Sequence, residues 1–337
     1  MDAWRLNPWI GGKSREFSGK ASHLVSPVDE RIIGEIAECD STIVANAVEN
    51  AHAAFLANLE RMPAERAKWL NDAAARLEQA ESEILESLIR CIGKPRRAAT
   101  FEARRGPQFL RATAAQLAYF SGEVLPLDAT AAGAGRFGFT TRIPYGAVAA
   151  ITPFNAPVNL LVQKLAPAIA MGNAVVAKPS PPATEAALII AEALKQSGLP
   201  DGIFNVVTGG RESALSLVAH PGIAAVTLTG GTAAGQELAR AAGAKKFVAE
   251  LGSNAANIVC ADANLADAAQ RIAAAAFEAS GQQCISAQRV IVEAPVYEKF
   301  LDFFVTAARK LKTGDPTDPA TDIGPMVSRA AADRVQA

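Results

Sequence analysis

The sequence predicts an α/β protein built on a doubly wound parallel sheet, and three observations carry that prediction. From Gly146 onward, short apolar runs such as AVAAI (147–151), AVVAK (174–178), IFNVVT (203–208) and AAVTLTG (224–230) alternate with longer stretches of helical periodicity. Strands that are covered by helices on both faces read as continuous apolar runs of this kind. Glycine, proline or polar residues punctuate the ends of the runs, where loops would begin. Finally, the 337 residues are half hydrophobic and one-fifth charged, a globular composition with length enough to bury a sizeable core.

Taken in order, the first forty residues read as short strands joined by turns, with SPVDERIIGEIAE (26–38) alternating around a Pro-Val-Asp-Glu turn. Residues 41–120 carry helical spacing. STIVANAVENAHAAFLANL (41–59) opens on a Ser/Thr cap, and PAERAKWLNDAAARLEQAESEILESLIRCIG (63–93) has Pro63 near its start and Gly93 near its end. Residues 122–142 return to glycine-rich, alternating sequence, the pattern of a hairpin extending from the body. AVAAI then leads through TPFNAP into a helix ending near Met171-Gly172-Asn173. After the AVVAK strand, PATEAALIIAEALKQSG is a helix stopped by Gly198. GGRESALSLVAH and GTAAGQELARAAG are the next helical stretches, and KKFVAELG is a further strand. MVSRAAADRVQA (326–337) reads as a helix that has begun without a stop signal. The domain boundary is placed at 252, with residues 1–252 as one unit and 253–337 as the start of another.

Charge and cysteine usage exclude several function classes. The formal net charge is −1, so nothing global points to nucleic acid or an anionic membrane surface. The one basic run, KPRRAATFEARR (94–105), is read as a solvated helix face. Cys39, Cys91, Cys260 and Cys284 are scattered with no C-x-x-C pair, so neither a metal site nor a disulfide framework is expected, and a reducing cytoplasm fits. The N-terminus lacks an apolar signal core. The uncharged stretch IPYGAVAAITPFNAPVNLLVQ (143–163) approaches spanning length, but Pro144, Pro153 and Pro157 interrupt it, and Asn155, Asn159 and Gln163 would need partners in lipid. It is read as strand, loop and helix start.

Ligands of doubly wound sheets sit beyond the carboxyl ends of the strands, so the residues that follow the apolar runs are the candidates. Gly230, Gly231 and Gly235 in TLTGGTAAG sit where a strand turns into a helix, and small residues there let backbone N–H groups approach a phosphate. Their spacing does not match G-x-G-x-x-G, and an ordinary turn accounts for it as well. Lys178 ends a buried run, where it is suited to ribose hydroxyls or a phosphate; a surface lysine is the bland alternative. Asn155 lies in a proline-framed loop where its amide is suited to stabilising an oxyanion, or is plain turn chemistry. Glu250 ends a strand read as buried, as a candidate general base or a partner of Lys245 or Lys246. Cysteines default to small core fillers, the reading given to Cys39, Cys91 and Cys260. Cys284, in GQQCISAQR, has polar and glycine neighbours that suit a reactive thiol.

The order of PYGAVAAITPFNAPVNLLVQKLAPAIAMGNAVVAKPS, LTGGTAAG, ELGSNAANIV, GQQCISAQR and LKTGDPTDPATDIGPMVS resembles the NAD(P)-dependent aldehyde dehydrogenase superfamily over essentially the whole chain. The resemblance implies a Rossmann-type nucleotide-binding domain, the start of a second α/β catalytic domain, and an oligomerisation hairpin at 122–142 that joins subunits as dimers or tetramers in the full-length form. It implies Cys284 as nucleophile, Glu250 as general base and Asn155 as oxyanion donor, with Lys178 in the same machinery. NAD or NADP contacts fall on Ile151, Thr152, Pro153, Phe154 and Asn155; on Lys178, Ser180 and Pro181; on Gly209; on Thr229, Gly230, Gly231, Thr232, Ala234 and Gly235; and on Leu251 and Gly252. Leu160, Gln163, Gln283 and Ile285 fall at the substrate.

Departures from the family pattern sharpen these expectations. Pro181 stands where NAD-preferring relatives carry a glutamate, which leaves both NAD and NADP admissible. Gly231 replaces a frequent serine, and Phe154 a common tryptophan. PFNAPVN with CISAQR is nearest to the branch acting on short functionalised aldehydes such as lactaldehyde and phosphonoacetaldehyde, although Gln283 offers no cation for a phosphate-bearing substrate. Relatives continue beyond this extent into a Glu-x-Phe-Gly-Pro motif that this sequence lacks. The catalytic domain is therefore expected to be incomplete, and the 337 residues alone inactive or unstable. The competing readings are a catalytically inactive nucleotide-binding remnant of the family and a cofactor-free cysteine esterase.

Overall fold

The computed structural model describes residues 4–337. β1 (Trp4–Leu6), β2 (Ala21–Val25) and β3 (Ile32–Ala37) form a small sheet in the order β1-β3-β2, with β2 and β3 antiparallel across the predicted turn. Four helices follow: α1 (Ser41–Ala57), α2 (Pro63–Gln79), α3 (Glu81–Ile92) and α4 (Arg96–Gln116). The cap of α1 is Asp40 rather than Ser41 or Thr42. Its carboxylate accepts the N–H groups of Thr42 and Ile43, each at 3.0 Å, because only the residue preceding the first turn can reach those free donors. The helical stretch 63–93 divides in two at Ala80. Gly93, at φ 72°, ends α3 in a left-handed conformation, and its bare Cα admits Pro325. β4 (Val124–Leu125) and β5 (Gly138–Phe139) pair antiparallel in an exposed hairpin.

β6 (Ala147–Thr152), α5 (Pro157–Ala170), β7 (Ala174–Pro179), α6 (Thr184–Gln196), β8 (Phe204–Val206), α7 (Arg211–Ala219), β9 (Ile223–Thr229), α8 (Thr232–Ala242) and β10 (Lys246–Glu250) alternate without interruption. The five strands form one parallel sheet in the order β10-β9-β6-β7-β8. β6, β7 and β8 are buried throughout, which is why their sequences read as unbroken apolar runs. The chain moves outward from β6 to β8 and then returns to β9 on the other side of β6. That reversal creates a topological switch point, with a crevice beyond the carboxyl ends of β6 and β9. The strand expected to bury Glu250 differs from its reading. β10 lies at the sheet edge and is largely exposed, Glu250 included, because only one neighbour pairs with it.

β11 (Ala256–Val259), α9 (Leu265–Phe277), β12 (Arg289–Val292), α10 (Tyr297–Arg309) and α11 (Arg329–Gln336) complete the chain, with β11 and β12 parallel. Val259, Leu265, Ala269 and Phe300 form a small second core, separate from the large one that joins the central sheet to α1–α8. Cys39 and Cys91 are buried fillers, as read, whereas Cys260 is exposed just beyond the end of β11. No helix among the described residues is long and apolar enough to cross a membrane; the suspect stretch 143–163 contains β6 and the first half of α5.

Candidate active site

Because the sheet is parallel, the ends of β6, β7, β9 and β10 deliver Thr152–Asn155, Lys178–Pro181, Thr229–Gly231 and Glu250–Gly252 to one edge. Several polar groups at this edge lack partners. Thr152 Oγ1 and Ser180 Oγ are buried without hydrogen bonds. Lys178 is only 6% exposed, and its ammonium donates no hydrogen bond to another described residue. Burial pushes its pKa down to about 8, against the opposing charge of Glu38. Buried polar groups are normally satisfied, so these orphans mark an edge shaped for a polar ligand. α8 begins at Gly231 with no side-chain cap, and a Cβ at Gly231 would meet nothing within 4 Å. Its first-turn N–H groups, including those of exposed Thr232 and Ala234, are therefore accessible to an anion. Gly235 admits the side chain of Leu251, which sets α8 close to the end of β10. The N–H of Gly230 donates to the carbonyl of Glu250 at 3.1 Å, joining the two loops. Phe154, Ser180 and Pro181 also face a cavity of about 700 Å³, whose other walls include Ser26, Met326 and Arg329. A dinucleotide, with its phosphates and ribose hydroxyls, fits the chemistry of this edge.

Asn155 is held from two sides. Its amide Nδ2 donates to the carbonyl of Gln282 at 2.8 Å, and its own carbonyl accepts from Lys94 Nζ at 2.7 Å. Lys94 in turn pairs with Glu102 on α4, whose Oε1 accepts the N–H groups of Val158 (2.8 Å) and Asn159 (3.3 Å) at the start of α5. Both partners are buried, at 7% and 2% exposure. The reading of KPRRAATFEARR as a solvated face is therefore corrected at these two positions. Arg97, Arg104 and Arg105 point outward, while Lys94 and Glu102 turn inward because the open N-terminus of α5 and the Asn155 carbonyl need partners there.

The segment leading to Cys284 leaves α9 through three consecutive left-handed residues, Ala279 (φ 50°), Ser280 (φ 59°) and Gly281 (φ 71°). Two of them carry side chains, and such backbone persists only where its surroundings hold it. Ser280 Oγ donates to the carbonyl of Gly324 at 2.8 Å, and Gln282 Oε1 accepts the N–H of Val327 at 3.0 Å. Cys284 then sits half-buried in a turn, free and two residues from the carbonyl that anchors Asn155. An amide nitrogen has two hydrogens. The one given to Gln282 fixes the group, and the other remains for a ligand oxygen. Gln283 is half-buried and Ile285 exposed, both flanking the thiol, whereas Leu160 and Gln163 lie on α5, the helix that the Asn155 loop enters.

Glu250 forms no ion pair among the described residues, and Lys245 instead donates to the Val218 carbonyl at 2.9 Å. A cation within reach of the Glu250 charge is Lys164, a residue that the sequence reading missed. Lys164 is buried on α5 and donates to Thr227 Oγ1 at 3.1 Å; burial lowers its pKa to about 8, with Glu250 opposing. The signal was present, since Lys164 falls between Leu161 and Leu165 on the apolar stripe of its helix. Among the described residues no histidine hydrogen-bonds Cys284; His220 Nδ1 accepts from Gly222, and His52 lies against Phe55.

A sequence profile of the aldehyde dehydrogenase family matches residues 14–337. An aldehyde-dehydrogenase-like protein of Sinorhizobium fredii is 38% identical over 314 residues, covering 93% of this chain and 61% of that protein. Aspartate-semialdehyde dehydrogenase 1 of Pseudomonas canavaninivorans is 37% identical over 313 residues, covering 93% of this chain and 67% of that protein. The crystal structure of an NAD-dependent aldehyde dehydrogenase from Sinorhizobium meliloti superposes with a TM-score of 0.93 at 32% identity, over 98% of this chain and 66% of its own. The chain thus spans roughly three-fifths to two-thirds of the length of the proteins it matches.

Proposed function

The chain belongs to the aldehyde dehydrogenase family, and on that premise we propose that its activity is the NAD(P)+-dependent oxidation of a short functionalised aldehyde or semialdehyde to the carboxylic acid. The observation that supports this reading is the bond from Asn155 Nδ2 to the Gln282 carbonyl, which ties the amide to the segment carrying Cys284, two residues further along the chain. The Cys284 thiolate adds to the aldehyde carbon, and the carbonyl electron pair moves onto oxygen. The free N–H of Asn155 and the backbone N–H of Cys284 stabilise that oxyanion; losing one such donor typically costs about 2.7–4 kcal/mol of barrier. When bound at the edge that includes Lys178, Ser180 and the first turn of α8, the nicotinamide cofactor supplies the hydride acceptor. As the oxyanion pair re-forms the carbonyl, the aldehyde C–H bond breaks with its electron pair leaving as hydride, and a thioester remains on Cys284. Glu250 takes a proton from water, which attacks the thioester carbon and releases the acid and the thiolate.

The remaining assignments follow from the same reading. Residues 1–252 form the nucleotide-binding unit and 253–337 belong to the catalytic unit. Ile151–Asn155, Gly209, Thr229–Gly235, Leu251 and Gly252 join Lys178, Ser180 and Pro181 at the cofactor, while Leu160, Gln163, Gln283 and Ile285 border the aldehyde. The similarity to an aspartate-semialdehyde dehydrogenase supports a substrate bearing a polar group close to the carbonyl. The exposed hairpin, with Val124, Phe137 and Phe139 at its surface, is the proposed contact between subunits of a homodimer or homotetramer. Four free cysteines suit a reducing cytoplasm.

The test is reduced-nucleotide formation by the full-length form from NAD+ or NADP+ with a panel of short aldehydes that includes aspartate semialdehyde. Turnover is expected to vanish in Cys284→Ala and to fall by about 10²–10³ in Asn155→Ala. Nucleotide binding without turnover on any aldehyde would favour the non-catalytic reading instead.

A further inference from the structure

We propose that Glu38 is a cofactor-specificity residue that disfavours a 2′-phosphate and so selects NAD over NADP; this rests on the dinucleotide reading above. In a doubly wound sheet the adenine ribose lies at the carboxyl end of the second strand, and an acidic side chain there accepts the 2′-hydroxyl and repels a 2′-phosphate. The second strand here is β7, and it ends in Lys178-Pro179-Ser180-Pro181 with no carboxylate. An ammonium on a residue only 6% exposed, beside the orphaned Ser180 hydroxyl, would by itself welcome a phosphate.

The carboxylate arrives from elsewhere in the chain. Glu38 lies between β3 and α1, and this connection is laid along the turn that follows β8, the strand paired with β7. Thr208 Oγ1 donates to the Ala37 carbonyl at 2.6 Å, Ser213 Oγ to the Cys39 carbonyl at 2.7 Å, and the Cys39 N–H to the Thr208 carbonyl at 3.3 Å. Between these ties, Glu38 Oε2 accepts the N–H of Gly210 and Oε1 accepts Ser22 Oγ, each at 2.7 Å. Gly209 makes room for the carboxylate. Its φ of 111° suits glycine alone, and a Cβ would fall 2.7 Å from Glu38 Oε2.

Both carboxylate oxygens are thus held by neutral donors, and Glu38 forms no ion pair with a described residue. Its charge is fixed in place without an ion-pair partner, and the nearby cation it opposes is the Lys178 ammonium at the end of the neighbouring strand. With Lys178 buried, little water intervenes to weaken that interaction. A ribose 2′-hydroxyl is neutral and feels no repulsion from Glu38. A 2′-phosphate brings further negative charge into reach of the same carboxylate.

Calorimetric titration of the 337-residue chain with NAD+ and with NADP+ tests this without requiring turnover. Wild type is expected to bind NAD+ at least about tenfold more tightly. Glu38→Gln, which keeps the size and an acceptor oxygen, is expected to narrow the gap by strengthening NADP+ binding, while Glu38→Asp retains it. Thermal unfolding of each variant confirms that it is folded. Equal or tighter NADP+ binding by wild type overturns the inference without recourse to any variant. So does a folded Glu38→Gln protein whose two affinities fall together, because a mere brace of the Gly209–Gly210 turn would weaken both nucleotides alike. Failure of wild type to bind either dinucleotide removes the reading beneath it as well.

Discussion

Lys164 and Lys178 are two lysines folded almost wholly out of water, at 8% and 6% exposure. Burial lowers both pKa values from 10.5 to about 8, and the charges of Glu250 and Glu38 oppose the effect only in part. Below pH 8 both lysines are charged in the folded and unfolded chain, and the full desolvation cost stands. Between about pH 8 and 10.5 the unfolded chain binds more protons than the folded one, so these groups make stability rise with pH. Urea unfolding of wild type and Lys164→Met across that window checks this. The stability of the wild type relative to the variant should climb with pH, and parallel profiles would contradict the assignment of Lys164. Neither lysine's environment could be read in full from the sequence. Lys178 was visible as a strand end, and Cys284 and Asn155 stood out as polar residues in glycine- or proline-framed loops. Glu38, by contrast, meets its turn 172 residues further along the chain, a distance that local pattern does not bridge.

At the scale of elements, the strands and helices of the central sheet were legible because burial on both faces imposes unbroken apolar runs. α4 was legible as a helix but not as a support. Its sequence near Lys94 looks like a basic surface, yet it delivers one carboxylate to the open N-terminus of α5 and, through Lys94, a donor to the Asn155 carbonyl. Such inward turns depend on which helix end lies opposite, and that is a tertiary fact. Lys94→Met should leave Glu102 as an uncompensated buried charge, at a cost of about 3–5 kcal/mol, the usual range for breaking a buried pair on one side. Urea unfolding reads the loss directly, and a change under about 1 kcal/mol would place Lys94 among ordinary surface residues. Glu102→Gln is the informative comparison. It keeps an oxygen for the Val158 and Asn159 N–H groups but leaves the Lys94 ammonium buried with only the Asn155 carbonyl as acceptor, so a loss comparable to that of Lys94→Met is expected.

For the molecule as a whole, the two hydrophobic clusters differ greatly in extent. One runs continuously through the central sheet and its covering helices; the other contains Val259, Leu265, Ala269 and Phe300 as its fully buried members. β11 and β12 leave Ile258 and Ile291 at 70% and 50% exposure, so that small sheet has little apolar burial to offset the entropy of ordering its strands. Much of what fastens this region to the rest is polar: Asn155 to Gln282, Arg97 to Asp322, and the Arg96 N–H to the Pro316 carbonyl. Polar contacts and ion pairs that are exposed, such as Arg97 to Asp322, are individually weak. Local opening should therefore begin in residues 256–309, while the strands 147–152, 174–179 and 223–229 open only with global unfolding. Native-state hydrogen exchange resolves the difference, with amides of β11, β12 and α10 expected to exchange well before those of β6 and β7. Uniform protection across both regions would mean that the polar seam couples them into one cooperative unit. The expected order has a functional corollary, because Cys284 sits on the weaker side of the seam and Asn155 on the stronger. Ligand binding that bridges the two should slow exchange around Gln282 and Cys284 more than anywhere within the central sheet.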